Sequence, residues 1–342
     1  HHQSGWIQIY QNCAFMKITK DMVHPDLRGS FRTMSVIASL MKSRLFRRGS
    51  DWLARVAMQG KDIESLDCAE KYIDSGAGKK KLRLRIYRPV GIDYPLPVML
   101  YIHGGGYLVG FPEQSAAIIE QFITTRPCVV IAPDYRKAEA GAFPAGFDDC
   151  YDSLKWANNH AEELRIYKRR VIIAGHSAGG GLAAAVTLKA RDNQDFDVAF
   201  QMPIYPMIDD LQPEDIERRM DSPVWDTGLN ALGWGSYLAD IRANGSEINA
   251  YAAPARNTDY KGFPPTITLV GDLEPFYRET VEYVGALRDA GIEVAFKEYL
   301  GCFHAFDMFG DGISEDARNF TYGRFADYYD RYVTPILLRS SE

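Results

Sequence analysis

Short apolar or alternating runs recur from Leu82 onward: Leu82 to Tyr87, Val98 to Ile102, Cys128 to Ala132, Val171 to Ala174, Ala199 to Ile204, Thr266 to Val270 and Glu293 to Tyr299. Most are separated by stretches whose apolar positions fall at helical spacing: Gln114 to Thr125, Asp148 to Leu164, Leu182 to Arg191, Tyr277 to Ala290 and Glu315 to Val333. Strand alternating with helix predicts an α/β fold, a mostly parallel sheet with helices on both faces. Runs as continuous as Cys-Val-Val-Ile-Ala predict strands buried on both sides.

Two regions depart from this alternation. Asp26 to Gly60 carries apolar positions at helical spacing (Leu27, Phe31, Met34, Ile37, Leu40, Met41, then Trp52, Leu53, Val56), interrupted by the basic stretch Arg44 to Arg48. It predicts one or two helices ahead of the main fold, with the basic residues at solvated helix ends and no function assigned to them. The interval Ile208 to Lys261 holds Trp225, Trp234 and Tyr237 but few strand signals, and is predicted to be an inserted helical cap. No internal repeat or low-complexity segment is present.

A chain of 342 residues can bury a sizeable core, and a formal net charge of -6 argues against nucleic acid or anionic membrane as partners. The five cysteines (Cys13, Cys68, Cys128, Cys150, Cys302) are odd in number and scattered, with no Cys-x-x-Cys spacing, so neither a disulfide framework nor a zinc site is expected. A reducing, cytoplasmic location is expected, with no stable membrane association, since no run approaches the ~18 apolar residues of a membrane helix. His1-His2-Gln-Ser-Gly resembles a tag remnant, Met16 is read as a native start, and residues 1–15 are set aside as tag or leader.

Chemistry enters where strands end. Open parallel sheets collect their reactive groups beyond the carboxyl ends of the strands. After Val171 to Ala174 the chain reads Gly175-His176-Ser177-Ala178-Gly179-Gly180-Gly181 and then a helical stretch, the context in which Gly-x-Ser-x-Gly exposes a nucleophilic serine. After Val98 to Ile102 comes His103-Gly104-Gly105-Gly106, a backbone able to approach a ligand and point amides at it. Attack on an ester carbonyl develops an oxyanion, and the amides of Gly105, Gly106 and Ala178 are the expected donors to it. His103 is given a structural part, holding the loop.

Ser177 needs a base. Of the seven histidines, His304 stands after the strand Glu293 to Tyr299 in Gly301-Cys302-Phe303-His304-Ala305-Phe306-Asp307, and it alone satisfies the chain order serine, acid, histidine. The acid belongs after Thr266 to Val270, where Gly271-Asp272-Leu273-Glu274-Pro275-Phe276 offers Asp272 and Glu274, and spacing alone does not choose. Cys302 beside the histidine lacks the further ligands a metal would need.

In this order the motifs resemble the hormone-sensitive-lipase-like esterases of the α/β-hydrolase fold, the group that includes many bacterial acetyl esterases. His103 to Gly106 is similar to their oxyanion motif, and Gly175 to Gly180 to their Gly-Asp-Ser-Ala-Gly-Gly elbow. Pro133-Asp134-Tyr135-Arg136 with Phe143-Pro144-Ala145 is similar to the intervening stretch, and Gly301 to Asp307 to their histidine loop. Their Asp-Pro-Leu-x-Asp acid motif falls on Glu274-Pro275-Phe276-Tyr277-Arg278, which favours Glu274 over Asp272. Two residues depart from the pattern: His176 replaces an aspartate, and a glutamate stands in the triad.

The resemblance implies N-terminal helices over residues 16–75 that form part of a cap, and a catalytic domain over 76–340 with a cap insertion at about 208–261. It further implies a serine carboxylesterase acting on short-chain esters through an acyl-enzyme, with Ser177, His304 and Glu274 as triad and neither metal nor organic cofactor. A homodimer through an edge strand is compatible with it. The competing readings are an amidase or formamidase, a sugar or drug deacetylase on the same triad, a long-chain lipase, and a non-catalytic ligand receptor of the same fold.

Overall fold

Each of the seven apolar runs forms a strand, and an eighth strand joins them. The computed structural model describes residues 16–335, so the leader expected over 1–15 lies outside the described residues. The strands are β1 (Leu66–Ser75), β2 (Lys80–Pro89), β3 (Leu96–Ile102), β4 (Val129–Pro133), β5 (Ile166–His176), β6 (Asp197–Ile204), β7 (Thr266–Gly271) and β8 (Val294–Tyr299). They form one eight-stranded sheet in the order β1-β2-β4-β3-β5-β6-β7-β8. β1 with β2 and β2 with β4 run antiparallel, and every other pairing is parallel.

The continuity of the apolar runs follows from cover on both faces. Leu100, Ile102, Ile131 and Ile173 pack with Phe147, Leu154, Leu182 and Val186, which lie on helices Ala145–Asn159 and Ala178–Asn193. Their strand neighbours Met99, Tyr101, Val130 and Ile172 point the other way and pack with Ile119, Phe122 and Phe325, from helices Ala116–Thr125 and Ile313–Tyr332. The helix expected over Asp148 to Leu164 instead runs Ala145–Asn159 and restarts after His160 as a single turn, Ala161–Leu164.

The N-terminal region differs from expectation in two ways. Helices occupy only part of 16–75: α1 is Phe31–Met41 and α2 is Arg44–Met58, whereas Leu66–Ser75 is strand β1, in unbroken register with β2 from Leu66↔Pro89 to Ser75↔Lys80. β1 lies at the sheet edge and buries only Ile73 and Ser75, so its sequence lacks the apolar alternation that marks the inner strands. The basic stretch stands at a helix end as expected, in the first turn of α2 capped by Ser43, but one of its arginines is not solvated. Arg47 is buried and donates to the carbonyls of Met41 and Lys42, each at 2.9 Å, satisfying groups left open at the end of α1. Arg44 and Arg48 reach Glu139 at 3.3 and 3.2 Å.

Between β6 and β7 lies α3 (Thr227–Tyr237), a shorter helix Ala239–Asn244 and two 3-10 turns. The Asp226 side chain caps α3, accepting from Leu229 N–H at 2.8 Å, and meets Lys42 Nζ at 2.5 Å. Val224 N–H donates to Met34 O at 3.3 Å, so the chain entering α3 touches α1. A two-residue parallel bridge, Met16–Lys17 with Met220–Asp221, adds a second tie between the N-terminal region and the insertion. Among the described residues no helix is long and apolar enough to cross a membrane.

Candidate active site

β5 hands the chain to helix Ala178–Asn193 through one residue, Ser177, at φ 59° and ψ -122°. Such a backbone costs a residue with a side chain about 1–3 kcal/mol and persists only where its surroundings enforce it. Here Ser177 N–H donates to Ile204 O, while Ser177 O accepts from Gly181 and Met207, all at 3.0 Å. The flanking glycines permit the turn: a Cβ on Gly175 would lie 2.2 Å from Gly179 O, and one on Gly179 would lie 2.0 Å from Ile102 O. His176 turns to Tyr101, its Nδ1 at 3.1 Å from the phenol oxygen, with its ring edge against Tyr205.

His304 Nε2 lies 2.8 Å from Ser177 Oγ, and its Nδ1 lies 3.2 Å from Glu274 Oε1. A carboxylate only accepts, so the Nδ1 proton goes to Glu274 and leaves the Nε2 lone pair facing the serine hydroxyl. Tyr205 and Phe276 hold the imidazole edge-on, with centroids at 4.8 and 4.9 Å. Burial lowers the basicity of His304 below the ordinary histidine value, which keeps the resting ring uncharged. Burial, aided by the neighbouring Asp307 carboxylate, raises Glu274 above the usual carboxylate range, and a positive charge forming on His304 during the reaction would oppose that shift.

Asp272 does not meet the imidazole. Its Oδ1 accepts from Gly301 N–H at 2.7 Å, and Leu273 N–H donates to Cys302 O at 3.0 Å, so Asp272 shapes the loop that carries His304 while Glu274 faces the ring. Asp307, three residues beyond His304, accepts from Tyr205 at 2.9 Å and is pushed up to about 6 by burial. The sequence reading passed over it, since nothing in the sequence ties it to Tyr205.

The glycine loop lies against the elbow. A Cβ on Gly104 would sit 3.3 Å from Ser177 Cβ. Gly105 and Gly106 have φ of 124° and 62°, open to glycine but strained for other residues. Among the described residues the amides of Gly105, Gly106 and Ala178 meet no acceptor, which leaves three N–H groups free beside Ser177. His103 stacks on Tyr135 at 4.4 Å and bonds through Nδ1 to Gly104 O at 2.6 Å, inside the loop rather than toward the serine.

Trp225, from the insertion, presses on this loop, and a methyl on Gly106 would lie 1.9 Å from its ring. Gly106→Ala is therefore expected to lower the rate of ester hydrolysis by about 100-fold or more, the scale of losing one oxyanion donor. Wild-type turnover by a folded Gly106→Ala protein would mean that this amide does not face the reacting carbonyl.

Comparison with known proteins gives the family and its members' activities. The family described as the alpha/beta hydrolase fold matches residues 99–308, from β3 through the loop of His304. The chain belongs to this family. Within it, the chain is 30% identical to an arylesterase of Saccharolobus solfataricus over 66% of its own length and 73% of the arylesterase. It is 27% identical to an ethyl acetate hydrolase of Pseudomonas putida, covering 68% of this α/β-hydrolase and 74% of that enzyme. Among solved structures, a bacterial heroin esterase superposes with a TM-score of 0.81 at 29% identity, over 91% of this chain and 99% of the esterase.

Proposed function

We propose that this carboxylic ester hydrolase cleaves small, short-acyl esters through an acyl-enzyme on Ser177. The observation that carries the reading is the continuous line Glu274, His304, Ser177 ending beside three unengaged amides. Ser177 Oγ attacks the carbonyl carbon as its proton passes to His304 Nε2, and the oxyanion is held by the amides of Gly105, Gly106 and Ala178. Collapse expels the alcohol, which takes the proton from His304. Water, deprotonated by the same imidazole, then attacks the acyl group and releases Ser177.

The N-terminal helices and the insertion at about 208–261 act as a cap over this site. Support for a small substrate comes from Trp225, whose ring closes on Gly106. A cytoplasmic location fits Cys68, Cys128, Cys150 and Cys302, which are all free thiols.

p-Nitrophenyl acetate and butyrate are expected to turn over readily. The octanoate ester should show kcat/KM lower by about tenfold or more, the price of a few misfitting methylenes. Equal efficiency on octanoate would overturn the short-acyl reading. Matched anilides separate an esterase from an amidase on the same residues, and a faster anilide would favour the amidase.

A further inference from the structure

The glycine loop is gripped from the N-terminal region by two side chains of α2. Asp51 Oδ1 accepts from Gly110 N–H at 2.9 Å, and Arg55 Nη2 donates to Gly110 O at 3.0 Å, so both main-chain groups of one glycine are engaged. The two side chains are locked to each other, Arg55 Nε to Asp51 Oδ2 at 3.0 Å. Arg55 also forms a two-pronged pair with Asp134 at 2.8 and 3.1 Å, and its guanidinium lies over Phe111. Asp134 is anchored in turn by Arg83, which grips the buried Glu113 at 2.7 and 3.0 Å. A planar guanidinium held on three sides has little freedom to shift.

Gly110 backs directly onto the oxyanion segment. It sits at φ 105°, and a Cβ there would lie 2.7 Å from both Gly104 O and His103 Nδ1. The chain between closes tightly, with Gly105 O accepting from Leu108 and Val109 N–H at 3.0 and 3.1 Å. A shift at Gly110 therefore passes to Gly104 and Gly105 with little slack. Anchoring a helix to the sheet would need only the Arg55 to Asp134 pair. Capture of both polar groups of Gly110 is what fixes the loop's height and rotation.

We propose that Asp51 and Arg55 are positioning residues for the oxyanion donors, so that α2 sets the loop geometry on which the reaction depends. The proposal rests on the esterase reading above. Loss of either side chain lowers turnover rather than substrate affinity, because amides aimed at the oxyanion act mainly in the transition state.

The test uses the full chain with p-nitrophenyl acetate and a trifluoromethyl ketone, which forms a tetrahedral adduct with the serine. Asp51→Ala is expected to lower kcat about 10- to 100-fold, the scale of a small misplacement, and to weaken the ketone by the same factor with KM nearly unchanged. Asp51→Asn keeps an acceptor oxygen for Gly110 N–H and should stay within about threefold of wild type. Arg55→Lys leaves a cation near Asp134 but cannot also reach Gly110 O, so its kcat should fall with KM nearly unchanged in protein that remains folded; it carries the test if Asp51→Ala does not fold. Wild-type kcat in Asp51→Ala or in Arg55→Lys, an equal fall in Asp51→Asn, or a loss confined to KM overturns the proposal. Ser177→Ala serves as control: if it retains turnover, the esterase reading has failed rather than the positioning of the loop.

Discussion

Ser177→Ala is expected to abolish turnover of p-nitrophenyl acetate, with kcat falling by about 10⁴-fold or more, because nothing else beside the three amides can form the acyl bond. Its thermal midpoint should match wild type, since alanine keeps the Cβ and hence the backbone strain. Ser177→Gly should be equally inactive yet unfold at a higher temperature. At φ 59° and ψ -122° the serine stores about 1–3 kcal/mol, part of which glycine releases against its larger entropy loss on folding. Differential scanning calorimetry of the three proteins checks this order. A midpoint for Ser177→Gly below that of Ser177→Ala would show that the elbow is not strained, and retained turnover in either variant would remove Ser177 from the chemistry.

The second large effect separates two carboxylates that stand two residues apart. Glu274→Ala is expected to lower kcat by about 10³- to 10⁴-fold, since His304 loses the partner that fixes its tautomer and stabilises its cation. Asp272→Ala removes the acceptor for Gly301 N–H instead. Its cost should appear mostly as stability, about 1–3 kcal/mol for a stranded amide, with kcat down by less than about tenfold. Steady-state kinetics together with urea unfolding of both variants decide the matter. The reverse ranking in kcat would place Asp272 behind the imidazole.

What could be read from the sequence was whatever leaves a local mark. Gly175 and Gly179 are glycines because a Cβ would strike a neighbouring carbonyl, and the motif records that constraint directly. His304 was recoverable because its place after β8 and the order of the catalytic groups left no rival. The choice between Asp272 and Glu274 was not recoverable from spacing, because it turns on Leu273 N–H reaching Cys302 O across two loops. Resemblance to a family supplied a preference that spacing could not. The grip of Asp51 and Arg55 on Gly110 was hidden for the same reason: ordinary charged residues on a helix acquire meaning only when a segment far along the chain arrives beside them. Trp225 could be read as part of an insertion, but its contact with Gly106 could not.

The polar surface of β1 has a bearing on solubility. An outermost strand presents unpaired main-chain groups along its free side, an invitation to join the strand of another molecule. β1 spreads Asp67, Glu70, Lys71 and Asp74 along that margin, with Lys71 held to Glu163 at 2.9 Å and Asp74 to Lys81 at 2.8 Å. A strand arriving from a second copy would have to strip water from these charges before it could pair. The composition that concealed β1 from a reading of apolar patterns thus guards one margin of the sheet against uncontrolled growth.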